Sequence, residues 1–194
     1  MLTELRTSLR PALVLLLLFA ALTGLVYPAA ITGIAQLALP HQANGSMIMD
    51  KGNIIGSELI GQNFSSPRHF HPRPSAAGKG YDATNSSATN LAPGDKGLRD
   101  AIAGRVKDAR AMNLTGGLVP PDLVTSSASG LDPDISPEAA LWQAASVAKA
   151  RGLGEKQVDD LIAKQTDYPL LGLIGEPHVN VLLLNRQLDA ISAK

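Results

Sequence analysis

The chain has 194 residues, with 17 basic and 17 acidic side chains and no cysteine. That length suits one ordinary domain rather than two. A balanced charge gives no field to draw the chain to nucleic acid, and the missing cysteines exclude disulfides, thiolate metal sites and cysteine nucleophiles.

From Pro11 to Leu39 no residue carries a formal charge. Roughly 20 helical residues cross a hydrocarbon core of about 30 Å, so the pattern predicts a membrane-spanning helix over residues 11–34. Pro11 suits the first helical turn, and Tyr27 falls where the polar interface should begin. The run is longer than the apolar core of a cleaved signal, and "IAQLA" has the wrong spacing for a cleavage site, which favours an anchor. Arg6 and Arg10 precede the span, and the next Lys or Arg is Lys51. Residues 1–10 are therefore expected in the cytoplasm and residues 40–194 outside it. Ala20 and Gly24, like Ala29 and Gly33, have the small-xxx-small spacing that lets a second helix approach.

After a connector, "LPHQANGS", two β-prone stretches flank Asp50-Lys51-Gly52-Asn53, which reads as a hairpin. Residues 62–94 are rich in Ser, Pro, Asn and Gly and have almost no periodicity. Helical spacing returns at Leu98, Ile102 and Val106, with Arg99, Asp100, Arg105 and Lys107 turned away. "LVPPDLVTSSASGLDPDI" reads as a short strand and then a turn-rich loop. Ser136, Pro137 and Glu138 have the chemistry of a helix start, and that helix should run to Gly152. A third helix follows in "EKQVDDLIAKQT", then a buried strand in "HVNVLLLN" and a short last helix in "RQLDAIS". The expected class is α+β: one transmembrane helix and then one mixed α/β extracytoplasmic domain.

Chemistry is sparse. "PRHFHPRPSA" (67–76) puts His69 and His71 two apart, on one face of a chain that its prolines keep extended. Two imidazoles make half a zinc site, so the segment reads as stiffened scaffold whose Arg68 and Arg73 pair with carboxylates or with a partner. Ser146 and Lys149 match S-x-x-K, the nucleophile pattern of penicillin-binding enzymes, but neither S-D-N nor K-T-G accompanies them. A membrane-anchored serine acyl-enzyme using Ser146 and Lys149 is the alternative to a non-catalytic protein. No phosphate-binding loop, nucleophile elbow or zinc-protease pattern is present, and no catalytic or metal residue is assigned.

"TGLVYP" at the end of the span resembles the C subunits of the Kdp-type potassium-transporting ATPases. So do "GSELIGQNF" (56–64), "RPSA" (73–76), "TNLAPGDKGL" (89–98), "VPPDLVTSSASGLDPDISPEAA" (119–140) and "GEPHVNVLLLN" (175–185). Two positions depart from that pattern: Ala92, where glycine is usual, and His69, where an aromatic is usual. The resemblance implies a non-catalytic accessory subunit of a bacterial inner-membrane pump for potassium. Its implied partners are a channel-like A subunit, a P-type ATPase B subunit and a small F subunit, together with the lipid bilayer. It implies no cofactor of the chain's own, ATP and K+ being handled by the complex. The C subunit would raise the pump's ATP affinity, with Gln143 contacting nucleotide. The charge-based topology instead places Gln143 across the membrane from cytoplasmic ATP, and favours the stabilising role. Ala20, Gly24, Tyr27 and Pro28 on the span, with Arg68 and Arg73 beyond it, are the residues expected to meet other subunits.

Overall fold

The computed structural model describes residues 2–112, 116–169, 172 and 174–192. The chain divides into two compact units, residues 1–47 and 48–194.

The first unit is one long helical run: α1 (Leu2–Ala21), a π-helical turn (Leu22–Val26) and α2 (Tyr27–Ala38). It is longer at both ends than the sequence suggested. Leu, Glu and Arg before Pro11 are good helix formers and carry the helix back to Leu2. Pro11 therefore lies inside α1 rather than in its first turn. The π-turn has a local cause in Pro28. A proline in a helix lacks its N–H and presses on the carbonyl four residues earlier, and a widened turn relieves that clash. Here the Tyr27 amide reaches back to the Leu22 carbonyl, five residues away. Within Arg6–Ala38, 33 residues form a helix long and apolar enough to cross a membrane. At 1.5 Å per residue such a helix is about 50 Å long, more than the roughly 30 Å of hydrocarbon it needs to cross. Leu39 leaves the helical region, and α3 (Pro40–Ala43) adds one more turn. Asn44 closes the connector, its Nδ2 donating to the Pro40 carbonyl at 2.6 Å and to Gln36 Oε1 at 3.2 Å.

Next comes the expected hairpin, β1 (Met47–Asp50) and β2 (Asn53–Ser57). Its turn residues Lys51 and Gly52 both have positive φ, 47° and 84°, as a tight two-residue hairpin turn requires.

In the second unit, serines do the work of a sheet along the irregular 62–94 stretch. Ser75 Oγ donates to the Gly130 carbonyl at 2.6 Å, Ser86 Oγ to the Ser129 carbonyl at 2.9 Å and Ser87 Oγ to the Ala76 carbonyl at 2.7 Å. The loops at 75–87 and 127–131 are thereby sewn together. Gly130, at φ 67°, permits it, because a Cβ there would lie 2.6 Å from the Ser87 carbonyl oxygen.

Helix α4 (Lys96–Met112) is capped by Asp95, whose Oδ1 accepts from the amides of Gly97 and Leu98. Its Leu98, Ile102 and Val106 stripe is half-buried and continues into buried Ala109. Arg105 does not turn away as expected; its guanidinium donates to the Val124 carbonyl at 3.1 Å. The strand expected near residues 118–124 is instead a 3-10 turn, Pro121–Leu123. Pro120 and Pro121 have no amide to give a ladder, and strand structure is delayed to β3 (Asp134–Ile135).

Helix α5 (Pro137–Arg151) starts and stops as its sequence dictates. Ser136 Oγ accepts from the Ala139 amide at 3.1 Å, and Gly152 ends the helix in the left-handed region. Helix α6 (Glu155–Gln165) and the short β4 (Thr166–Asp167) follow. The run read as one buried strand splits into β5 (His178–Asn180) and α7 (Val181–Ser192). Asn180 makes the switch: its Oδ1 caps the Leu183 amide at 3.1 Å, while its Nδ2 reaches the Glu58 carbonyl at 2.8 Å. β5 is the centre of a small antiparallel sheet in the order β3-β5-β4, with Ile135 and Thr166 both opposite Val179. Alanines of α5 let the sheet, α6 and α7 close around Ile135, Val158, Ile162, Val179, Leu184 and Leu188. The class is α+β: a long apolar helix and then a mixed domain of helices and a small sheet.

Candidate functional site

The prolines predict an extended chain, but the Pro67–Pro74 segment opens in a turn, its His69 amide donating to the Ser66 carbonyl at 3.0 Å; from Phe70 to Pro74 it is free of turns and belongs to no sheet. Its centre, Phe70, is fully buried in the core. Such a chain must find partners for the N–H and C=O groups on both its edges. Two side-chain amides supply them. On one edge Asn185 of α7 accepts from the Phe70 amide at 2.8 Å and donates to the Phe70 carbonyl at 3.0 Å. On the other, Gln143 of α5 accepts from the His71 amide at 2.8 Å and donates to the His71 carbonyl at 3.2 Å. Each amide copies the paired bonds of a neighbouring β-strand. Gln143 also donates to the Ala139 carbonyl at 3.2 Å, so both its polar atoms are committed to its own chain.

His69 and Arg73 of the segment, with Arg151 of α5, complete the brace. His69 Nε2 lies 3.2 Å from Asp189, and Arg151 reaches the same carboxylate at 2.8 Å. Arg151 Nε also donates to the Arg68 carbonyl. Burial raises the Asp189 pKa, but the hydrogen bonds from Arg151 and His69 outweigh it and hold the carboxyl below its usual range. Arg73 pairs with Asp132 at 2.9 Å, both half-buried, so the carboxylate option applies to this residue. Its carbonyl accepts from the Tyr81 hydroxyl at 2.6 Å, and burial pushes that phenol up to about 12. Arg68 is exposed.

Both histidine rings line one groove of about 650 Å³, between this segment, the end of α4 and the outer face of α5. His71 is held below the ordinary histidine range, first by burial and then by the neighbouring His69. Among the described residues no three His, Cys, Asp or Glu side chains converge as a metal site would require. Ser146 and Lys149 line the groove as well. Lys149 is exposed, whereas a lysine acting as proton acceptor for a serine is normally desolvated. Of the span residues, Gly24 sits in the π-turn, Ala20 just before it, and Tyr27 and Pro28 just after; all four are exposed.

The family model described as KdpC, K+-transporting ATPase, c chain, matches residues 9–190. The chain belongs to the KdpC family. It is 56% identical over 188 residues to the potassium-transporting ATPase KdpC subunit of Caulobacter vibrioides (strain NA1000 / CB15N), covering 95% of this chain and 93% of that one. It is 54% identical over 183 residues to the KdpC subunit of Rhodospirillum rubrum, covering 94% and 95%. The KdpC subunit of Variovorax paradoxus (strain S110) is 54% identical over 187 residues, covering 95% and 97%. As a KdpC chain it is a non-catalytic subunit of the Kdp potassium-transporting ATPase, which leaves no place for the acyl-enzyme alternative at Ser146 and Lys149. The sequence reading missed Asn185, Arg151 and Asp189 as partners of the braced segment. The signal available was Asn185 itself, a polar residue closing an apolar run, which once buried must find hydrogen bonds.

Proposed function

We propose that this KdpC chain is a single-pass accessory subunit that stabilises the assembled ATPase in the bacterial inner membrane. Residues 1–10 lie in the cytoplasm and residues 40–194 outside. The observation that carries the reading is the Arg6–Ala38 helix, whose most apolar window has none of its residues buried within the chain. Those side chains need lipid and neighbouring helices around them. The helix meets its partners through Ala20, Gly24, Tyr27 and Pro28, and Arg68 adds a contact from the outer domain. The partners are the channel-like A subunit, the P-type ATPase B subunit and the small F subunit. ATP and K+ are handled by the complex, and any gain in the pump's ATP affinity reaches it through subunit contact rather than through Gln143.

Gly24→Leu tests the docking face. A Cβ at Gly24 meets nothing within 4 Å of its own chain, so the larger side chain can obstruct only a neighbour. Recovery of the A, B and F subunits with the tagged chain should fall; undiminished recovery removes the docking face. A reporter enzyme fused after residue 194 should be active only outside the cytoplasm, and cytoplasmic activity would overturn the orientation. A nucleotide photolabel crosslinking at Gln143 in sealed inverted vesicles would restore direct ATP contact.

A further inference from the structure

The groove beside the braced segment has the size of a small-molecule site, about 650 Å³, and is half-enclosed. Its floor and walls are apolar, from Met112, Leu123, Trp142 and Val147, with Ala109 and Ala150 leaving the space open. The polar groups that reach it are mostly taken. Gln143 holds the His71 backbone, and His69 faces Asp189. Burial keeps the His71 ring neutral near pH 7.

Lys149 is different. It lines the groove, it is exposed, and it makes no ion pair among the described residues. No carboxylate is among the described residues that line the groove. A ligand that fits must be mostly apolar, to cover the Trp142 and Met112 walls, and a single negative charge would meet the single unpaired ammonium at the rim. A cation would find no counter-charge there.

We propose that the groove binds a free small anionic amphiphile, an apolar ring or short chain carrying one carboxylate, with the carboxylate at Lys149 and the apolar body against Trp142. Trp142 is the only tryptophan in the chain, so its fluorescence reports occupancy directly. The test uses the full chain in an uncharged detergent, titrated with phenylbutyrate, phenylbutanol and phenylbutylamine, which share one apolar body and differ in the head group. Phenylbutyrate should give a saturable change at roughly tenfold lower concentration than phenylbutylamine, with the alcohol between them, as one partly exposed ion pair allows. Lys149→Glu, at an exposed position, should reverse that order. Ala150→Leu should weaken all three probes by filling the space. Equal responses to the three probes, an order unchanged in Lys149→Glu, or the lack of a saturable signal would each overturn the proposal. The outcome is separate from the docking of the membrane helix, so failure here leaves the accessory-subunit reading standing.

Discussion

Strand β5 and the Pro67–Pro74 segment are both fully buried at their centres, at Val179 and Phe70. They satisfy their edges in different ways. β5 lies between the backbones of β3 and β4, whose hydrogen-bonding groups are present whatever side chains they carry. The braced segment depends on Asn185 and Gln143, two side chains borne by different helices. A backbone neighbour tolerates substitution; a side-chain neighbour does not. Proline explains the choice. Pro67, Pro72 and Pro74 lack the amides that a regular ladder would use, so no strand can pair along the whole segment, and the Asn185 and Gln143 side chains pair Phe70 and His71 instead.

The contrast can be broken most severely at Asn185. Asn185→Leu keeps the volume but leaves the buried N–H and C=O of Phe70 without partners, which costs about 3 kcal/mol at roughly 1–3 kcal/mol per group. Thermal or urea unfolding followed by Trp142 fluorescence reads it, and a loss below about 1 kcal/mol would mean that the clamp is dispensable. Gln143→Leu should cost less, about 2 kcal/mol, because His71 is only half-buried and water can replace part of what is lost.

A smaller effect should appear as a slope. The His71 pKa is lowered from 6.5 in the fold, so the unfolded chain binds the proton more readily. Its contribution to stability is complete above pH 6.5 and declines as pH falls from 6.5 towards the folded-state value. His71→Asn should flatten the stability profile below pH 6.5, and an unchanged slope would assign it to other groups. The smallest effect belongs to the sheet. Asp167→Asn changes an exposed side chain on β4 while leaving its ladder to β5 intact, and should stay within about 0.5 kcal/mol in the same unfolding assay.

What the sequence disclosed depended on whether the deciding contacts were local. The caps at Ser136 and Gly152 act within one turn of α5, and the Lys51-Gly52 turn acts within four residues, so all were readable in advance. The apolar helix announced itself by composition. Val181, Leu184, Asn185 and Leu188 do recur at helical spacing, but four consecutive apolar residues look alike to strand and helix patterns, and the boundary was set by the Asn180 cap. Proline's preference for a first turn points to Pro11 as the helix start, and the better helix formers before it prevail. The candidate site was half legible. That His69 and His71 share a face follows from their spacing, and both line the groove; the turn before them, closed by the His69 amide on the Ser66 carbonyl, does not. Its partners do not, because Gln143 lies 72 residues away and Asn185 lies 115 away.

The clamp also ties two consecutive residues to separate parts of the molecule. The Phe70 amide is released only when α7 or its asparagine moves, and the His71 amide only when α5 or its glutamine does. In heavy water these adjacent hydrogens would exchange on two clocks, one for each helix. Their ratio would show, from one short peptide fragment, which side of the domain loosens first when a neighbouring subunit engages it.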